Sequence, residues 1–215
     1  MLLGGADVNS TDEEDRTPLM LAAKGGHLSV CVLLVQSGAD ITKTDVYGDT
    51  ALSLAARYGH NEVSQSQYLI QQGADVNCPG QYGWSPLMLA ARRGHLPLCV
   101  LLVQSGADIH KTDVSGDTAL SEAASKGHYE VSQYLIQQGA DCSKLDQNQK
   151  DKLLTFGSQQ GDLIMCKALL KSGADVKKIV STKLYDNYWT SDGQQNINTK
   201  FWHKYLIQWT ARRGD

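Results

Sequence analysis

The residues best equipped for chemistry in this chain are its six histidines and five cysteines. Four of the histidines, His27, His60, His95 and His128, recur at nearly even intervals. Imidazole is both a common metal ligand and the base best poised near neutral pH, and a thiolate is both ligand and nucleophile. Their spacing here supports none of these roles. No Cys-x-x-Cys, Cys-x-His or His-Glu-x-x-His arrangement occurs, so a zinc site has no basis. No glycine-rich phosphate loop and no Gly-x-Ser-x-Gly elbow is present to serve a phosphate or a nucleophilic serine. The odd, scattered set Cys31, Cys78, Cys99, Cys142 and Cys166 is a poor disulfide framework. Free thiols so placed behave as small buried hydrophobes in a reducing compartment, which predicts cytoplasm and/or nucleus. His110 and His203 stand alone and read as solvated. No catalytic, cofactor-binding or metal residue is expected, and no cofactor.

Composition narrows the class further. The chain has 215 residues, 20 Lys+Arg against 23 Asp+Glu, a formal net charge of −3 and 41% hydrophobic residues. That is too apolar and too weakly charged for a disordered chain, and not basic enough for a surface built to hold nucleic acid. No apolar run approaches the roughly 18–20 residues of a membrane span. The first residues lack the basic and apolar segments of a signal peptide. Direct nucleic-acid binding and membrane insertion are therefore not expected.

The spacing of the glycines shows what positions these side chains. Gly-Ala-Asp occurs at 5–7, 38–40, 73–75, 106–108, 139–141 and 173–175, with glycine spacings of 33, 35, 33, 33 and 34. Gly-His follows the same period at 26, 59, 94 and 127, and Gly161-Asp162 takes the fifth place. A third series runs Thr17-Pro18-Leu19-Met20-Leu21-Ala22-Ala23, then from Thr50, Ser85 and Thr118. Thr or Ser ahead of an apolar stretch is a helix N-cap, and Pro18 and Pro86 sit where a first-turn proline costs nothing. The glycine before each histidine suits the left-handed residue that ends a helix. A second helix, such as Leu28–Val35, follows and is stopped by the next Gly-Ala-Asp. The polar Asp-x-x-Gly between repeats (Asp45 to Gly48, Asp113 to Gly116) is turn chemistry. Stacked copies would place the histidines roughly 10 Å apart, too far to share a metal.

With this period and pattern the chain resembles the ankyrin-repeat family. The resemblance covers about residues 1–175 and implies an all-α solenoid of stacked antiparallel helix pairs joined by turn or hairpin loops. Residues 1–11 read as the end of a truncated preceding repeat or an N-terminal cap. Repeats follow at about 12–44, 45–79, 80–112, 113–145 and 146–178. Cys-Val-Leu-Leu-Val-Gln-Ser-Gly-Ala-Asp-Ile recurs at 31–41 and 99–109, and Tyr-Leu-Ile-Gln-Gln-Gly-Ala-Asp at 68–75 and 134–141, so the array reads as a duplicated pair. By the resemblance the recurring histidines are structural.

Four departures stand out. Where the family usually has His after Thr-Pro-Leu, this chain has Met20, Ser53, Met88 and Ser121. Repeat two carries two extra residues near Ser64. Two residues rotate a helix by roughly 200°, so Val63 and Leu69 should not both be buried by one regular helix, and a longer loop after Gly59 or an irregular first turn is expected. Repeat five lacks the Thr-Pro cap. Residues 179–215 leave the pattern, and within them 198–213 could form an amphipathic helix.

The resemblance also implies where a partner would touch, on the turn tips and the exposed face of each first helix. Carried over to this sequence, that face holds Tyr47, Asp49, Arg57, Tyr58, Tyr82, Trp84, Arg92, Arg93, Ser115, Asp117 and Lys126. Tyr, Trp and Arg are the types enriched at binding hot spots, and Trp84 is the leading candidate. The pattern from Leu69 to Asn77 also resembles that of ankyrin repeats hydroxylated on asparagine, which points to Asn77. The expected function is a non-catalytic protein-binding module, monomeric on its own, with another protein held on the concave face. Two alternatives are an adaptor whose tail docks on a larger complex, and a fragment of a longer ankyrin-containing enzyme or channel.

Overall fold

The Leu-x-Leu-Ala-Ala stretches become short helices because each is closed at both ends. The computed structural model describes residues 7–58 and 63–175. Among these it forms α1 Pro18–Lys24, α2 Leu28–Gln36, α3 Ala51–Tyr58, α4 Val63–Gln71, α5 Pro86–Arg93, α6 Leu96–Gln104, α7 Ala119–Lys126, α8 Tyr129–Gln137, α9 Gln147–Gln160 and α10 Leu163–Lys171, and no strand. At the start of α1, α5 and α7 the hydroxyls of Thr17, Ser85 and Thr118 accept the backbone N–H three residues on. The missing family histidine is replaced locally. Met20 Sδ and Met88 Sδ accept the cap N–H at 3.4 Å, and Ser121 Oγ does so at 2.9 Å. Each cap is thus closed reciprocally within its own turn, and the methionines also fill core volume. In repeat five Asp146 caps α9 in place of Thr-Pro, accepting from Gln149 N at 2.7 Å.

The chain divides into two compact units, 1–135 and 136–215, the division falling within α8. In the first, α1, α3, α5 and α7 pack side by side, and α2, α4 and α6 form a second layer behind them. Alanines at 22–23, 55–56, 90–91 and 123–124 are buried between first helices, where a larger side chain would hold the backbones apart. Leu19, Leu52, Leu87 and Leu120 are buried at equivalent places. In the second unit α9 and α10 pair through Leu153, Leu154, Met165, Cys166, Leu169 and Leu170.

Identical sequence acquires different burial according to what precedes it. Leu21 is 44% exposed on α1, whereas Leu89, its counterpart on α5, is 5% exposed. Helix α3 covers one side of α5, and among the described residues no helix precedes α1.

The two-residue insertion is resolved by register. Helices α4 and α8 both have nine residues and end at equivalent glutamines, so Val63 takes the place of Tyr129 and Gln65 that of Val131. Leu69 is buried and Val63 only half-buried, as the rotation argument requires. The loop expected after Gly59 falls at 59–62, outside the described residues. Gln65 is consequently carried inside at 2% exposure, with Nε2 3.4 Å from Ala22 O and 3.1 Å from Cys31 Sγ. Ala22 O also accepts from His27 N, so no acceptor is stranded if the amide is removed. Gln65→Val, which restores the residue of the duplicate repeat, should leave stability within about 1 kcal/mol of wild type or raise it. Urea unfolding checks this, and a loss above about 2 kcal/mol would show the amide to be structural.

Candidate functional site

The tip of the third repeat is built without the aspartate that shapes the others. In repeats two and four, Asp45 and Asp113 each accept two backbone N–H groups within their own turn, at 2.8–2.9 Å. Repeat three has Gly80 there, and a Cβ at Gly80 would run into Asp49 Oδ1. The space belongs to a neighbouring carboxylate. The tip keeps the backbone bond of the others, Gly80 N to Trp84 O at 2.8 Å as Asp45 N to Asp49 O at 3.1 Å and Asp113 N to Asp117 O at 3.0 Å, but forms a short 3-10 turn at Gln81–Gly83 with Tyr82 at φ +59. Val114 N donates to Tyr82 O at 2.9 Å and Val46 N to Glu14 O at 3.0 Å, tying tips to one another.

This turn delivers Trp84 next to the last turn of α5. The Arg92 guanidinium stands over the Trp84 ring, 5.2 Å from its centroid, and its Nη1 donates to Glu122 Oε2 at 2.8 Å. Glu122 occupies the place held by Leu21, Leu54 and Leu89 in the other repeats, and it is 7% exposed. A buried carboxylate there is tolerable because it has a charged donor. On the other side Arg57 Nη2 lies 2.6 Å from Asp49 Oδ2. Both Asp49 oxygens and Arg57 Nε nonetheless lack an aligned hydrogen bond, so this is an ion pair by proximity only. Burial pushes the Asp49 carboxyl above its ordinary range, and Arg57 opposes that shift. Between these groups opens a cleft of about 290 Å³ lined by Arg57, Gln81, Tyr82, Trp84, Leu89, Arg92 and Arg93.

Five of the sequence-predicted residues, Arg57, Tyr82, Trp84, Arg92 and Arg93, therefore share one cleft. Tyr58 stands exposed, with Lys24 Nζ 4.9 Å from its ring centroid. Tyr47 is exposed on its tip, and Ser115 and Lys126 are exposed outside the lining. Asp117 is half-buried and accepts from Ser121 Oγ at 3.0 Å. Asp49 is not a surface residue: it is 1% exposed and lies behind Arg57, its ion-pair partner. Sequence reasoning passed over Leu89 and Glu122. The signal for Glu122 was visible, an acid where three aligned repeats have leucine.

His27, His95 and His128 lie at helix junctions. His128 Nε2 is 3.1 Å from Arg92 O, and His95 is held below its ordinary pKa by burial, with Arg93 and His128 adding to the effect. His60 lies outside the described residues, as does everything expected of 179–215. Among the described residues no group of three or more His, Cys, Asp or Glu is placed to share a metal ion. No helix among them is long and apolar enough to cross a membrane. Cys31, Cys99, Cys142 and Cys166 are buried and Cys78 half-buried, all free. Burial pushes the Cys99 thiol up to about 12, and those of Cys142 and Cys166 to about 11. Such thiols are poor nucleophiles. In the native protein a maleimide should label Cys78 first and the other four only on unfolding; mass spectrometry of native and urea-treated samples checks the order. Asn77 ties adjacent repeats: its Nδ2 donates to Gly106 O at 3.0 Å and its Oδ1 accepts from Asp108 N at 2.8 Å. Asn9 makes the same pair of bonds to Gly38 and Asp40.

A family model described as ankyrin repeats in three copies matches residues 1–78, 33–113, 65–146 and 87–180. No curated protein is significantly similar to the chain.

Proposed function

Because the chain belongs to the ankyrin-repeat family, we propose that it is a non-catalytic module that binds another protein on its turn tips and first-helix face, centred on the Trp84 cleft. Ankyrin repeats are generally protein–protein interaction modules. The Trp84–Arg92 stack supports this location. A tryptophan ring, a cation over it and two further guanidiniums border one open cleft whose base is rigid helix and capped turn. That is the residue set and the preorganisation on which binding energy concentrates. Asn77 as a hydroxylation target belongs to the same proposal, and its carboxamide would have to accommodate the added oxygen while spanning two repeats.

The test is capture of partners by the full chain and by a variant lacking the stack. Arg92→Ala alone would leave the Glu122 carboxylate buried without its cation. The informative variant is therefore Trp84→Ala with Arg92→Ala and Glu122→Leu, which restores the leucine of the other repeats. Partners should be lost while the helical spectrum is retained. Undiminished capture by a folded variant would remove this face from consideration.

A further inference from the structure

The lining of the cleft is unbalanced in one direction. It holds three guanidiniums, two aromatic rings, one amide and one leucine, and no carboxylate. The two acids that pair with it, Asp49 and Glu122, lie behind the lining and are themselves buried. A guanidinium carries five N–H donors. Arg92 commits Nη1 to Glu122, leaving its other edge to the cleft. Arg57 points Nη2 at Asp49 without alignment, and its Nε has no acceptor. Arg93 is exposed and makes no ion pair among the described residues. Three positive charges thus face two negative ones, and the surplus faces the opening. Lys24 of repeat one, over Tyr58 of repeat two, and exposed Lys126 of repeat four extend the same sign along the first-helix ends. Part of this charge serves the helix C-termini, but that role needs no aromatic ring beside it.

The geometry points to an acidic segment of a partner protein as the occupant, with one Asp or Glu side chain laid on the Trp84 ring and its carboxylate taken by Arg93 and the open edge of Arg92. This rests on the reading that the face binds a protein, and it names the chemistry of what is bound. Planar guanidinium forks match carboxylates in pairs of hydrogen bonds, and they do so best where the fork is already held. The volume of about 290 Å³ lies at the lower edge of the roughly 300–1,000 Å³ typical of small-molecule sites, and it has room for an acidic side chain with its flanking backbone. An apolar anchor has little to gain, since Leu89 is the one aliphatic lining residue and is buried. Arginine beside aromatic rings also suits single-stranded nucleic acid. A strand of phosphates needs a basic track several nucleotides long, which the acidic first tip, Glu13 and Glu14, interrupts, whereas a single carboxylate needs only this cleft.

The experiment is selection of random displayed linear peptides on the full chain, followed by anisotropy titration of the recovered peptides carrying fluorescein. Recovered sequences should be enriched in Asp and Glu. Replacing the anchoring acid by its amide should weaken binding about tenfold, as should Arg93→Glu, and a peptide with Lys in place of that acid should bind Arg93→Glu better than wild type. Arg93 is exposed, so a thermal melt should show Arg93→Glu folded, and Arg93→Gln with an intermediate affinity guards against a local distortion. Acidic peptides indifferent to Arg93→Glu would overturn the inference. Recovered peptides that need Trp84 but lack acids would overturn it too, while leaving the protein-binding reading standing. Peptides that all ignore Trp84→Ala would overturn both. A single-stranded oligonucleotide bound more tightly than the acidic peptides would replace the proposed occupant.

Discussion

Gly94→Ala should destabilise the protein by about 2–4 kcal/mol. Two costs combine at this position. Gly94 ends α5 in the left-handed region at φ 78, ψ 19, where a Cβ costs roughly 1–2 kcal/mol. The added Cβ would also stand 2.5–2.9 Å from atoms of the His128 imidazole. That ring cannot step aside freely, because its Nε2 contacts Arg92 O at 3.1 Å. Gly127→Ala supplies the control. It has nearly the same backbone, φ 76, but its nearest neighbours are Tyr129 atoms at 4.0 Å. It should lose only the conformational part, roughly 1–2 kcal/mol. Urea unfolding of both variants measures the difference. Equal losses would mean that the His128 ring yields without cost and that the histidine does not brace the junction beneath Arg92.

The triple variant Trp84→Ala, Arg92→Ala, Glu122→Leu should lose about 2–4 kcal/mol of partner affinity, a factor of roughly 30 to 1,000 in Kd. Its folding stability should change far less. The stack of Arg92 on Trp84 is worth on the order of 0.5–1 kcal/mol at a half-exposed site. The Arg92–Glu122 pair is replaced as a whole by apolar groups, and such replacement is often neutral or stabilising. Glu122→Leu alone separates the terms. It frees Arg92 from its internal acid, so acidic peptides should bind it at least as well as wild type. A triple variant that binds normally would show that the cleft is surface relief and not a binding site.

How much of this was legible in the sequence depends on the range of each interaction. The repeat period, the capped first helices and the glycine stops are local and recur, so they could be read from Thr17, Pro18 and Gly26 onward. The cluster of Tyr82, Trp84, Arg57, Arg92 and Arg93 was also visible, because in a stacked array a fixed position in one repeat lies beside the same position in the next. What could not be read were pairings that link different positions across repeats, and one local substitution in the helix caps. Asp49 looks like a tip residue, yet it fills the space that Gly80 leaves open in the following turn. Glu122 looks like a lapse in a leucine pattern, yet it is the counter-charge of Arg92. The methionines at 20 and 88 stand where the family usually has histidine, and only the structure shows that their sulfurs accept the cap N–H groups. Gln65 became a core residue only because the insertion was absorbed ahead of α4, a choice between loop and helix that the sequence left open.

The indole N–H resonance of Trp84 reports whether the cleft is occupied in a complex. The chain has four tryptophans, so four such signals are expected, and Trp84→Phe assigns the one that matters. On titration with a selected peptide or a captured partner, the Trp84 signal should shift in proportion to occupancy while the folded spectrum persists. A saturated complex in which the Trp84 signal stays in place and the other indoles move would show that partners bind away from this cleft.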